Sequence, residues 1–201
     1  MFGVSEITRE IWWNVPAWLI WVLYPGSLLT LGYSAALGWR HVRSWRRGRA
    51  AAGRFDLKHA LADLCTEVFG HRKLFRDRRA AIAHLLIFYG FLALFVGTCL
   101  VFVHDRLVPF LSGATYLGFS LALDLAGLAY LAGLGLALHR RYVAREARLE
   151  PGRDWSLLLA TLAAIGITGF ALEGARIAVA MPAFEVWSPV GYGLAAAFRL
   201  I

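Results

Sequence analysis

Cysteine, methionine and acidic side chains are scarce in this chain. Its 201 residues hold two cysteines, two methionines and 13 Asp or Glu. Cys65 and Cys99 are isolated, with no C-x-x-C spacing, which excludes an iron–sulfur cluster or a zinc ribbon built from this chain alone. Cys99 falls in an apolar run and Cys65 in a polar one, so no disulfide is expected between them. No glycine-rich turn follows a strand-like segment, which removes phosphate-loop and dinucleotide fingerprints. The amino terminus carries Glu6, Arg9 and Glu10 and lacks the basic-then-apolar order of a signal peptide. Charge is thin throughout, at 17% of residues.

What is abundant is apolar length. Hydrophobic residues make up 59% of the chain, and the mean hydropathy is +0.59. That excess points to an all-α integral membrane protein, since about 20 apolar residues cross a bilayer as a helix. Four spans are predicted, over 15–38, 80–103, 114–138 and 155–180. Pro16 suits a helix start, and Pro25 with Gly26 predicts a kink in the first span. Residues 3–13 read as a short interfacial helix, with Trp12, Trp13 and Trp18 at headgroup depth. Within the polar stretch 39–79, Leu57, Leu61, Leu64, Cys65 and Val68 recur at helical spacing, which predicts an amphipathic helix over 55–69.

Lys and Arg set the expected orientation. Of the 21, twelve lie in the loop 39–79 and five in the loop 139–154. Positive charge gathers on cytoplasmic loops, so both basic loops are expected inside and the amino terminus outside, in a cell inner membrane. The net charge of +8 is then mostly topology. No nucleic-acid motif accompanies it.

Two groups of residues could carry chemistry. His84 is the one side chain within the run AAIAHLLIFYGFLALFVGTCLVFV that ordinarily titrates near neutral pH. It lies four to five residues inside the second span, about 7 Å below the inner face. An imidazole in lipid needs a partner, and haem iron is the leading candidate, with a structural hydrogen bond to a neighbouring helix as the alternative. His41 and His139 stand at similar depth, in arginine-rich helix ends. The second group is Asp124 in the third span with Glu173 and Arg176 on the fourth, the latter two at i, i+3 spacing. Charges inside a bundle pair with one another and mark proton or substrate routes. They read either as a structural ion pair or, with His104 at the outer end of the second span, as a quinone and proton site. Gly90 and Gly97 share one helix face, where small residues let helices approach; the same packing role is expected of Gly127, Gly133, Gly135, Gly166, Gly169 and Gly174.

The segments AHLLIFYGFLALFVGT, YLGFSLALDLAGL, HRRYV, ITGFALEGARIA and WSPVGY, in that order, resemble the membrane domain related to the nitrate reductase gamma subunit, a di-haem cytochrome b family. The likeness is nearest to the branch fused to or paired with heterodisulfide-reductase-like iron–sulfur proteins, some of them electron-transfer-flavoprotein:menaquinone oxidoreductases. The resemblance implies a five-helix bundle holding haem b between its second and fifth helices, with quinone and a cytoplasmic iron–sulfur protein as redox partners and electron-transfer flavoprotein behind them. It places the inner haem on His84. The family's second histidine, ten residues on, is Leu94 here, and His104 lies twenty residues away, about 30 Å along a helix. The chain is expected to hold four helices of that bundle, with the fifth outside it. The competing expectation is a haem-free anchor for a soluble redox partner.

Overall fold

A computed structural model describes residues 7–8, 11–12, 14–48, 56–71, 74–75, 77–146 and 152–200. Most of the expected interfacial helix over 3–13 lies outside these residues. The chain divides into two units, residues 12–65 and residues 1–11 with 66–201. Every described element is helix, turn or loop.

The first unit holds α1 (Ala17–Trp45) and α2 (Leu57–Asp63). Pro16 precedes α1, where its missing N–H costs nothing. The helix runs without interruption through Pro25. Ser27 and Thr30 donate side-chain hydrogen bonds to the carbonyls of Leu23 and Gly26, at 2.8 and 2.9 Å, around that point. No residue of α1 is buried. Trp12 meets Tyr24 edge-to-face, with centroids 6.0 Å apart. Asp56 caps α2 by accepting from the backbone N–H of Lys58 and His59. The His59 ring on its second oxygen, at 2.7 Å, followed by those amides, holds the Asp56 carboxyl below its ordinary value. A wider, π-helical turn over Leu64–Phe69 continues α2. Leu57, Leu61, Leu64 and Val68 are all exposed, so the apolar face expected of 55–69 is an outer one.

The second unit is a helical bundle. It comprises α3 (Arg78–Arg106), α4 (Gly113–Leu138), α5 (Arg153–Ala180) and α6 (Pro189–Phe198). Among the described residues four helices, α1, α3, α4 with its π-helical continuation to Val143, and α5, are long and apolar enough to cross a membrane. At 29 residues, α3 measures about 43 Å.

The main packing runs α3 on α4 and α5 on α6, with α4 touching α5. Glycines make the close approaches. A Cβ on Gly90 would lie 2.8 Å from Tyr130 Cβ, and one on Gly133 would lie 2.8 Å from Ile87 N. Gly127 and Gly166 face Phe170 and Leu131, and Gly174 faces Leu194. Gly135 and Gly169 meet nothing within 4 Å, so a packing role does not extend to them. Tyr130 closes the α4–α5 contact by donating to the Leu162 carbonyl at 3.0 Å.

Each end of the bundle has its own fastening. At the start of α3, Asp77 caps the amides of Arg79 and Ala80. The same carboxylate takes Arg140 Nη2 at 3.1 Å, and Arg140 also grips Glu146 through two hydrogen bonds, of 2.8 and 2.6 Å. This ties the end of α4 to the start of α3. At the opposite end, Gly113 adopts a φ of 57° and donates to the Ile7 carbonyl, while Thr8 donates to Leu111. After α5 the chain reverses at Met181, in the left-handed region, and passes through a 3-10 turn over Ala183–Trp187 into α6.

Candidate functional site

His84 emerges on an outer face of α3, one and a half turns from the helix start. The imidazole beside it is His71, from the polar segment before α3, with ring centroids 5.0 Å apart in an edge-to-face arrangement. Phe88 stacks on His84 at 6.1 Å. His71 is buried and takes a left-handed φ of 50°. Its Nδ1–H donates to the Phe69 carbonyl at 2.9 Å, and the Tyr89 hydroxyl donates to the same oxygen. That bond leaves His71 Nε2 as the free nitrogen. The ring nitrogens of His84 have no hydrogen-bond partner among the described residues. A groove of about 340 Å³, lined by Glu67, His71, Leu74 and His84, opens beside the pair.

Haem can be tested against this geometry. Two imidazoles gripping one macrocycle from opposite faces stand about 6 Å apart by centroid, given metal–nitrogen bonds of about 2 Å. His71 and His84 are closer than that and in edge-to-face contact, so they do not fit as the two axial ligands of one haem. Nor do three or more His, Cys, Asp or Glu side chains gather into a metal-binding group among the described residues. His84 by itself is exposed beside the groove, its ring in contact with His71 and Phe88 and its nitrogens without a hydrogen-bond partner among the described residues.

The second site lies at the end of the bundle away from Asp77 and Arg140. Tyr116, Ser120 and Asp124 follow one another at i, i+4, i+8 on α4 and are all buried. Ser120 and Ser188 share a short hydroxyl–hydroxyl hydrogen bond. Asp124 accepts from the amides of Val190 and Gly191, at 2.8 and 3.4 Å. It therefore caps α6, where the free N–H groups and the helix dipole favour a negative charge. Asp124→Ala is expected to cost about 1–2 kcal/mol, read as a lower thermal midpoint in detergent, with Asp124→Asn recovering most of the loss. Equal stability of the Ala variant and the unaltered protein would refute the capping role.

Glu185, in the turn between α5 and α6, is 1% exposed. Its Oε1 accepts from Arg176 Nη1 at 2.7 Å and from the Tyr116 hydroxyl at 3.1 Å. Its Oε2 and Arg176 Nη2 are buried without a hydrogen-bond partner among the described residues. Arg176 thus pairs with Glu185, a residue the sequence reading did not single out, while the Glu173 side chain lies across Gly191. His104 does not join this cluster directly. Its Nδ1 accepts from the amides of Phe110 and Leu111, at 2.8 and 3.0 Å, and so closes the α3–α4 turn. The proton of a neutral His104 therefore resides on Nε2. His104 and Tyr116 line a small cavity of about 10 Å³, room for about one water.

The structure thus joins Asp124, Glu173 and Arg176 at the α4–α5–α6 junction and holds His104 one side chain away, with Tyr116 between. Sequence reading missed Tyr116, Ser120, Glu185, Ser188 and His71. The four-residue spacing of Tyr116, Ser120 and Asp124 was an available signal, because three polar groups on one stripe of an apolar helix must face protein.

Two known oxidoreductases resemble this chain. EtfAB:quinone oxidoreductase of Syntrophomonas wolfei is 28% identical over 202 residues, covering 96% of this chain and 27% of that protein. Probable iron-sulfur-binding oxidoreductase FadF of Bacillus subtilis is 29% identical over 114 residues, covering 55% of this chain and 16% of that protein. The chain therefore spans about a quarter of the first relative and a sixth of the second. No family model matches the chain, and no solved structure does. The relatives support a relation to electron-transfer oxidoreductases; a relation to the nitrate reductase gamma subunit is not shown by them.

Proposed function

We propose that this chain is the membrane part of a quinone-linked electron-transfer oxidoreductase. It passes electrons between an iron–sulfur partner, or an iron–sulfur domain joined to it, and quinone in an inner membrane. The observation that carries the reading is the match along 96% of the chain to a protein named EtfAB:quinone oxidoreductase. Four apolar helices of spanning length supply a setting in lipid, and the buried Arg176–Glu185–Tyr116 group supplies polar atoms that an oxygen-bearing ligand can use. The basic segments 39–79 and 139–154 are the docking face for the partner, whose acidic surface they would steer. Electron-transfer flavoprotein is the proposed electron source or sink behind that partner. With those segments on the cytoplasmic side, the amino terminus and the Glu185 cluster belong to the outer side.

Haem b is part of this proposal on one residue. His84 would hold it from one side, with the opposite ligand supplied by a residue other than His71. Bound there, haem would supply one-electron transfer; the protein's part is to place and tune it. The full-length protein is expected to show a b-type band in its reduced-minus-oxidised optical spectrum, abolished by His84→Ala. No band in the unaltered protein removes haem from the proposal. A complex that also fails to reduce a short-chain menaquinone when supplied with a reduced iron–sulfur partner overturns the electron-transfer reading and leaves an anchor.

A further inference from the structure

We propose that Glu185 exchanges the proton with a quinone oxygen, that Arg176 holds that oxygen, and that protons reach Glu185 through Tyr116 from the end of the bundle formed by the α3–α4 turn. The inference rests on the quinone-linked reading above and assigns its chemistry to atoms.

Two unsatisfied buried atoms point to the ligand. Glu185 Oε2 is an acceptor and Arg176 Nη2 a donor, and neither has a partner among the described residues. They belong to side chains already joined through Oε1 and Nη1, so they lie on one ion pair. A buried donor or acceptor left unmade is destabilising. One hydroxyl oxygen relieves both, donating its hydrogen to Oε2 while accepting from Nη2. A quinol presents such an oxygen. After the proton passes to Oε2, the same atom as a quinone carbonyl accepts from Glu185 and from Arg176. The site thus serves both redox states.

The remaining charged and titratable groups are otherwise engaged. On α4, Asp124 is held by the amides of Val190 and Gly191, and the Tyr116 hydroxyl donates to Glu185. On α5, Glu173 lies along Gly191, and Arg176 is the counter-ion. The serines Ser120 and Ser188 bond to each other, and α6 supplies the backbone N–H groups that Asp124 accepts from and carries Tyr192 as its titratable side chain. Glu185 is the carboxyl of the cluster with an oxygen to spare.

In the direction of quinone reduction, two electrons come from the iron–sulfur partner. The O–H bond of the Glu185 acid breaks as the O–H bond on the quinone oxygen forms, and the carboxylate left behind is paired with Arg176. The other quinone oxygen takes its proton from water, completing the quinol. Glu185 is recharged at Oε1 by the Tyr116 hydroxyl, which takes another hydrogen from water in the small cavity it lines with His104, and rotation of the carboxyl group carries the new O–H round to the quinone oxygen. His104 lines that cavity, and the paired Asp105 and Arg106 follow at the helix end. That end lies opposite the Asp77–Arg140 fastening at the start of α3.

The test uses the whole complex, with its iron–sulfur partner as reductant and a short-chain menaquinone as acceptor. Glu185→Gln keeps the shape and a hydrogen bond to Arg176 but carries no exchangeable acid. It is expected to lower kcat about 100-fold, with KM changed less than roughly threefold. Tyr116→Phe is expected to lower kcat about tenfold, with a larger solvent isotope effect. In the unaltered complex, infrared difference spectra on quinone reduction should show a carboxylic acid C=O band that shifts in D2O. That measurement needs no variant, so poor assembly of Glu185→Gln does not protect the proposal. A Gln variant with full kcat, or an absent carboxylic band, overturns the assignment to Glu185 while quinone reduction stands. An unaltered complex that reduces no menaquinone overturns the parent reading and this one with it.

Discussion

Arg176→Met is expected to destabilise the bundle by about 3–5 kcal/mol, the usual consequence of leaving one buried charge without its partner. Glu185 is 1% exposed and Arg176 is its cationic neighbour, at 2.7 Å. The Tyr116 hydroxyl alone is a weak substitute for that cation. The loss should appear as a lower thermal midpoint in detergent. The double variant Arg176→Met with Glu185→Gln should recover most of it, because the penalty lies in the stranded carboxylate. A double variant no more stable than the single one would show that packing by the arginine stem dominates. The Asp105–Arg106 pair provides the contrast. There the side chains are 22% and 43% exposed, so Arg106→Met should change stability by about 0.5 kcal/mol.

Gly90→Ala and Gly133→Ala are expected to cost about 2–3 kcal/mol each. A Cβ at Gly90 would press on Tyr130 Cβ at 2.8 Å and the Ala126 carbonyl at 2.9 Å. A Cβ at Gly133 would press on Ile87 N at 2.8 Å and the Ala83 carbonyl at 2.9 Å. Opposing backbone cannot swing aside, so α3 and α4 must part along their contact. Gly97→Ala should be milder, since it meets the terminal methyl groups of Leu123, which can rotate. Gly135→Ala has open space around it and should be neutral or slightly stabilising, by up to about 1 kcal/mol. Ranking the four variants by thermal midpoint checks the geometry. Equal midpoints for Gly90→Ala and Gly135→Ala would contradict the close α3–α4 approach.

Pairing α3 with α4 also shows how far a linear reading reaches. The seven-residue spacing of Gly90 and Gly97 put both on one face, and both are buried at the α3–α4 contact. The same reasoning applied to Gly135 and Gly169 found no contact, because periodicity reports a shared face without saying what lies opposite. The candidate site was legible by half. Asp124, Glu173 and Arg176 stood out as charges in apolar runs. Glu185 did not, because it follows Pro182 in a turn that reads as an ordinary loop. His71 was hidden among Arg and Lys side chains, and its burial comes from the His84, Phe88 and Tyr89 rings folded against it.

By itself the sequence determined that the chain is helical, that four helices have the length and apolarity to cross a membrane, and that most of the positive charge gathers in two connecting stretches. These properties are local sums over a few turns of chain, so no partner is needed to read them. Only the tertiary structure decided that Arg176 answers to Glu185, that Asp124 serves as a cap for α6, and that His84 meets His71. Those outcomes join residues up to 67 positions apart. They depend on which faces pack and on which buried polar atoms find partners, and no window along the chain contains that information.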